Sequence, residues 1–317
     1  MSEPALTERP LGSVAVDRLL DLLRDGRLSV RTGPLVTRLR SRLPDVAHYL
    51  ELAYQYHPAL VDAPFADFHL TVRTPRNLRR WLRPQVEFSL DGDVPFEPLP
   101  RAQAPAVLEW GLNWAIAASC HQWLTIHAAC LERDGAAVIL PAPPGSGKST
   151  LCAALALRGW RLLSDELTLV DPSTLQVQAL ARPINLKNAS IELIRRFEPA
   201  TQWGPQVYDT VKGQVTHLCP PRDSVARMDQ TALPRWVIFP RYVAGADPEL
   251  LPCRKAPTFT ELAKNAFNYS VLGEMGFETV ARILDRCDCH EFTYSRLDDA
   301  VQVFDALLRD MHDGRAS

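Results

Sequence analysis

The chain has 317 residues, 46% of them hydrophobic and 23% charged, with a formal net charge of −2. That length accommodates one large α/β domain or a catalytic domain with a smaller appendage, and the charge balance gives no general attraction to nucleic acid or to an anionic membrane. No stretch approaches the roughly eighteen apolar residues that span a bilayer, the first residues lack the basic and apolar regions of a secretion signal, and seven cysteines without framework spacing read as reduced thiols of a cytoplasmic protein.

Val14–Leu23 carries apolar residues at helical spacing, and Asp45–Tyr54 reads as a second helix. Phe68–Val72 and Val86–Leu90 alternate apolar and polar residues as half-buried strands do. Prolines at 75, 84, 95, 98, 100 and 105 then punctuate the chain and place a boundary near residue 100. Residues 1–104 are expected to form an N-terminal α+β region, and residues 105–317 a second domain. Ala106–Gln122 follows as a buried helix, although Glu109 and Asn113 interrupt its apolar run.

From Leu124 the pattern is strand (LTIHAACLE), turn (Arg133–Gly135), strand (AAVILPA), then a glycine-rich loop and a helix over Ser149–Arg158 closed by Gly159. Arg161–Val170 reads as two short strands meeting at Ser164–Glu166. Further helices are expected at Ile191–Phe197, around Glu261–Arg286 and at Ala300–Met311. Strands alternating with helices around such a loop indicate a layered α/β domain.

The loop, Pro143-Pro144-Gly145-Ser146-Gly147-Lys148-Ser149-Thr150, lies between an apolar strand and an amphipathic helix. Glycines let the backbone turn tightly and aim successive N–H groups at phosphate oxygens, and the helix N-terminus adds partial positive charge. Gly145 through Thr150 are therefore expected to cradle a nucleoside triphosphate, with Lys148 reaching the β- and γ-phosphates and the Ser149 hydroxyl ligating Mg²⁺. Ala142 stands where the first glycine of such loops usually falls.

Phosphoryl transfer also needs a metal ligand and an acceptor for the attacking hydroxyl's proton. Asp165 and Glu166 lie seventeen and eighteen residues after Lys148, and neighbouring strand residues face opposite ways, so the two carboxylates should differ in role. His127 lies twenty-one residues before Lys148 on the preceding strand. Taken alone, LLSDEL also fits a surface strand end, and a histidine between Ile126 and Ala128 also fits a satisfied core residue.

Together, His127, GSGKS at Gly145–Ser149 and RGWRLLSDE at Arg158–Glu166 resemble the bacterial HPr kinase/phosphorylase family. ARPINLKN at 181–188, TVKGQVTHL at 210–218, FPRY at 239–242 and LAKNAFNYSVLGEMGF at 262–277 look like its subgroup called HPr kinase-related kinase A. The resemblance implies a phosphate-loop kinase domain of the HPr kinase/PEP carboxykinase type. It implies Asp165 as the base for a hydroxyl, Glu166 as an aid to Mg²⁺ binding or site ordering, and His127 as the group that holds or polarises Asp165. Many members carry an acid directly after the loop serine, where this chain has Thr150, and their C-terminal signature for dephosphorylation has no clear equivalent here. The kinase direction is thus the one expected.

Arg182, Lys187 and Lys212 lie in polar, loop-like segments and are candidate phosphate or substrate contacts, because a cation near the γ-phosphate stabilises the transition state. Solvated loop charge is the other reading of each, and Asn185 and Asn188 are equally open. Cys287-Asp288-Cys289-His290 lacks the gap of a zinc knuckle and reads as ordinary thiols. Arg73, Arg76, Arg79, Arg80 and Arg83 around Trp81 read as a solvated helix face.

The expected activity is transfer of the γ-phosphate of ATP, with Mg²⁺, to a hydroxyl of a protein, a peptide or a small molecule. Neither nucleic acid nor membrane is expected as a partner, and homo-oligomerisation is left open. The alternatives are an NTP-binding regulatory or scaffold protein without transfer, and PEP carboxykinase-type chemistry. The latter would need a carboxylate-binding arginine and a Mn²⁺ site that the sequence does not display.

Overall fold

The computed structural model describes residues 9–75, 83–143 and 145–314. Pro144, Arg76, Arg79, Arg80 and Trp81 lie outside them; of the arginine group, Arg73 bonds Glu87 at 2.6 Å and Arg83 is exposed. The architecture is mixed α/β, with three sheets among the described residues.

The chain opens with β1 (Arg9–Pro10), α1 (Val16–Asp25), β2 (Leu28–Thr32), β3 (Leu35–Ser41), α2 (Pro44–Ala53), β4 (Pro58–Val61), β5 (Phe68–Arg73), β6 (Gln85–Leu90) and β7 (Leu99–Pro100). These strands form one sheet in the order β1-β4-β2-β3-β5-β6-β7, antiparallel except where β3 meets β5. The helical spacing in α1 buries Leu19, Leu20, Leu22 and Leu23, each leucine stabilising by about 1.5–3 kcal/mol. Gly26 ends the helix in the left-handed conformation (φ 69°).

The apolar helix α3 (Ala104–Ser119) packs into the same core, where Leu112 and Ile116 meet Phe68, Leu70 and Phe88. Leu167, Leu169 and Leu180 from much later in the chain join it as well. The core thus runs across the 104/105 boundary drawn from the prolines. The β2–β3 turn docks so tightly that a Cβ on Gly33 would stand 1.8 Å from the Ala179 carbonyl oxygen.

Next come β8 (Leu124–Arg133), β9 (Ala136–Pro141), α4 (Lys148–Leu157), β10 (Arg161–Ser164), β11 (Leu167–Val170) and β12 (Val177–Gln178). Then follow β13 (Ile184–Lys187), α5 (Ala189–Phe197), β14 (Val207–Thr210), β15 (Gly213–Leu218), α6 (Arg222–Ala226), β16 (Leu233–Tyr242) and β17 (Glu249–Pro252). The chain closes with α7 (Lys255–Lys264), α8 (Tyr269–Leu272), α9 (Glu274–Arg286), β18 (Asp288–Tyr294) and α10 (Leu297–His312).

The second sheet runs β12-β11-β8-β9-β16-β18-β17, with β10 also on β8. Its centre is parallel, since β16 pairs in that sense with both β9 and β18. Layers cover both faces: α4 and α10 with Ile184, Leu186 and Ile191 on one, and Leu262, Val280, Ile283 and Leu284 of α7 and α9 on the other.

The span expected as one helical region, 261–286, is divided by Asn265–Asn268 and by Gly273 (φ 56°) into α7, α8 and α9. The segments read as loop-like around Lys187 and Lys212 form a third, antiparallel sheet, β13-β15-β14. In β13, Ile184 and Leu186 turn into the core while Asn185 and Lys187 face the other way.

Candidate functional site

β8 and β9 are joined by Asp134-Gly135, both at positive φ (53° and 80°), the conformation of a two-residue hairpin turn. The hairpin sets the start of the glycine-rich loop at the carboxyl end of β9, where α/β sheets bind ligands. Gly145 and Gly147 both have φ 91°. Gly147 is doubly constrained, because a Cβ there would stand 2.4 Å from the Tyr294 hydroxyl. That hydroxyl donates to the Gly147 carbonyl at 3.0 Å, and the Tyr242 N–H donates to the Ser146 carbonyl at 2.9 Å. The loop is thereby fastened to the ends of β18 and β16.

Lys148 opens α4 and is not an exposed cation: only 8% of its surface is accessible, and its ammonium has no hydrogen-bond partner. Burial pushes its pKa down, with Asp165 and Glu166 acting against that. Ser149 and Thr150 follow on the first turn, partly accessible.

The acidic pair sits where β10 hands over to β11. Both segments run antiparallel to β8, with Ser164 opposite Cys130 and Leu167 opposite His127, so Asp165 and Glu166 fall at the break in pairing. Asp165 is 5% exposed; its Oδ2 accepts from the Asn185 N–H at 3.0 Å, and its Oδ1 has no partner. Burial raises its pKa to about 6, offset by Lys148 and reinforced by Glu166. Glu166 accepts from the side-chain amide of Asn113 and, at 3.2 Å, from that of Asn185.

His127 lies on the same flank, its ring stacked on Phe267 with centroids 5.5 Å apart. Burial, then the nearby Lys148, lowers its pKa to about 4, so it is neutral at pH 7. Its ring hydrogen-bonds neither carboxylate; Lys148, Glu166 and Lys212 are the charges that act on it. Lys187 acts on the charge of Lys148 from β13. Lys212, at the turn between β14 and β15, sits 5.4 Å above the Trp110 ring of α3.

Arg182 does not stand free for a phosphate. It is buried, and its guanidinium donates to the carboxylate of Glu109, to Asn113 Oδ1 at 2.6 Å and to the Tyr54 hydroxyl at 3.5 Å. Tyr49 and Tyr54 donate to the other Glu109 oxygen at 2.8 and 2.7 Å. Burial would raise the Glu109 pKa, but Arg182, then His217 and the Tyr54 hydroxyl, hold it below the ordinary value.

A continuous chain of bonds thus runs from α2 and α3 through Arg182 and Asn113 to Glu166. Sequence reasoning gave Glu109 and Asn113 no role. The available signal was two polar residues four apart, hence on one face, in an otherwise apolar helix.

Replacing Arg182 by methionine leaves Glu109 charged and buried without its partner. We expect a destabilisation of about 3–5 kcal/mol in denaturant unfolding at pH 7. Glu109 stays ionised below its ordinary value of 4.5, so its contribution is present above that pH and is lost as pH falls through the lowered folded-state value. The cost of Arg182→Met should therefore shrink toward pH 3; an equal cost at both pH values would argue against the ion pair.

Cys287 and Cys289 are buried thiols that burial pushes up, Cys289 to about 11. Among the described residues no group of three or more His, Cys, Asp or Glu is placed to share a metal ion, and no helix is long and apolar enough to cross a membrane.

No family model and no curated protein matches the chain. Among solved structures it is similar to the Hpr(Ser) kinase/phosphatase from Coxiella burnetii. That similarity is 14% identity over 59% of this chain and 95% of the other, with a TM-score of 0.27.

Proposed function

We propose that the chain is an ATP-dependent phosphotransferase of the HPr kinase type, moving the γ-phosphate of a nucleotide to a hydroxyl. One observation supports this above the others. Two buried groups of opposite charge, the Lys148 ammonium and Asp165 Oδ1, make no hydrogen bond beside a glycine-rich loop, although each acts on the other's charge. Buried polar groups without hydrogen bonds are costly, and at the mouth of such a loop a bound ligand would satisfy these two. A triphosphate on the loop N–H groups supplies acceptors for Lys148, and a hydroxyl supplies the donor for Asp165.

In this reading the acceptor oxygen forms a bond to the γ-phosphorus as the bond to the bridging β–γ oxygen breaks. ADP leaves, and the hydroxyl proton passes to Asp165. The pKa of about 6 keeps Asp165 largely ionised at pH 7 yet basic enough to take that proton. Ser149 and Glu166, both hard oxygen donors, would hold Mg²⁺, which when bound neutralises charge on the β- and γ-phosphates. Lys187 and Lys212 add positive charge on the same side, while Asn185 and Asn113 fix the two carboxylates.

The test is calorimetric titration of the full chain with ATP, with and without Mg²⁺, followed by single-turnover transfer from γ-labelled ATP to fractionated lysate. Binding that strengthens with Mg²⁺ and leads to a labelled acceptor is expected. Binding without transfer to any fraction would favour the scaffold alternative, and no binding would overturn both.

A further inference from the structure

The groups read as acting on the γ-phosphate lie on one flank of the loop. His127 is on β8, and Asp165 and Glu166 are between β10 and β11, all to one side of β9 in the sheet order. β16 and β18 stand on the other side. A nucleotide whose terminal phosphate reaches Asp165 therefore runs back along the loop toward the carboxyl ends of β16 and β18.

The last residue of β16 is Tyr242. Its N–H is tied to Ser146, and its Cβ would lie 3.1 Å from a Cβ on Gly147, so its side chain starts against the loop backbone itself. The ring meets Tyr294 edge-on, with centroids 5.9 Å apart and planes at 73°, and 49% of the residue remains accessible. The chain beyond is pinned too: the Val243 N–H donates to the Tyr294 carbonyl at 2.9 Å and the Ser295 hydroxyl to the Ala246 carbonyl at 2.7 Å. An aromatic side chain held in an edge-to-face contact and half accessible, at the end of a phosphate loop away from the reacting carboxylates, has the properties of a stacking platform.

We infer that Tyr242 is the nucleobase subsite, taking a purine ring against its accessible side. The inference rests on the nucleotide-binding reading and adds to it the place and chemistry of base recognition. Stacking is tolerant of ring identity because every base has a π-face, so ATP and GTP should bind comparably and both more tightly than UTP, whose single ring covers less of the tyrosine.

The experiment compares two probes on the full chain by calorimetry, Mg²⁺·ATP and Mg²⁺·tripolyphosphate, the second having phosphates but no base. Tyr242→Ala is expected to weaken ATP about tenfold or more while leaving tripolyphosphate unchanged. Tyr242→Trp is expected to restore ATP affinity. Unaltered ATP affinity in Tyr242→Ala would overturn the inference, and so would an equal loss for both probes, which would mean that Tyr242 only shapes the loop. Wild-type protein that binds tripolyphosphate and ATP equally well would remove the base subsite while leaving the phosphate loop standing. Wild-type protein that binds neither would remove the nucleotide-binding reading itself.

Discussion

Lys148→Ala lowers the affinity for Mg²⁺·ATP by about a hundredfold or more, the scale for deleting one partner of a desolvated charge pair, and the nucleotide-free protein loses no stability. The two halves of this expectation come from the same fact. The ammonium is buried without a hydrogen bond, and burial depresses its pKa further than Asp165 and Glu166 raise it. A charge whose burial outweighs the carboxylates that offset it is a cost in the absence of ligand.

The sign follows from linkage. With a folded-state pKa below the unfolded one, the unfolded chain binds more protons around the lysine range, so stability there rises with pH and the charged form opposes folding below it. Removing the side chain at pH 7 relieves that opposition, and Asp165, whose pKa is already raised to about 6, answers the loss of the cation by taking up a proton. Calorimetric titration paired with thermal unfolding of the nucleotide-free mutant checks both halves. Wild-type affinity in the mutant would end the phosphate-loop reading. A large fall in melting temperature would instead show Lys148 to be a packing residue.

The parts of this site that were legible in the sequence are those encoded locally. Asp134-Gly135 between two apolar runs specifies a hairpin whatever surrounds it, and Gly145 and Gly147 announce backbone at positive φ. The break between β10 and β11 was readable for the same reason, since Ser164-Asp165-Glu166 interrupts an apolar stretch.

What escaped the reading depends on distant neighbours. β13 reads as loop in the sequence because Pro183 and the alternating Asn185 and Lys187 mask Ile184 and Leu186, whose burial against α4 makes the strand. The burial of Lys148 is equally hidden, because nothing local shows that Asp165 and Glu166, beyond β10, come near enough to act on its charge. The role of Arg182 was misjudged for a related reason. Its partners Tyr54, just after α2, and Glu109, on α3, lie 128 and 73 residues away, and one basic residue in a polar segment gives no hint of a buried carboxylate that far off. The same distance hid the contribution of α3. A proline-rich stretch marks where the chain changes direction, whereas the shared core of Leu112, Ile116, Leu167 and Leu180 decides which segments pack as one.

Asp165→Asn tests the chemistry rather than the binding. Asparagine keeps the shape of the side chain and retains an oxygen to accept the Asn185 N–H, now 3.0 Å from Oδ2, but it cannot take a proton from a hydroxyl. Mg²⁺·ATP should therefore still bind, while phosphoryl transfer falls by roughly a hundredfold or more, the scale of a lost general base.

The pH profile separates this role from others. Burial sets the Asp165 pKa at about 6 in the nucleotide-free protein, and single-turnover transfer at subsaturating ATP reports ionisations of the free enzyme. The rate should thus rise with pH, since the active form is the deprotonated one, and level off above about 6. In Asp165→Asn that limb should vanish. His127→Ala should retain it with only a moderate loss of rate, because the His127 pKa of about 4 places its titration well below the inflection. If Glu166 were the base, Asp165→Asn would still transfer phosphate and Glu166→Gln would not. If Asp165 were chiefly a metal ligand, the Mg²⁺-dependent part of ATP affinity would fall together with the rate. Transfer at the wild-type rate in Asp165→Asn would exclude base catalysis by this carboxylate, and the buried, half-satisfied Asp165 would then need another ligand to account for it.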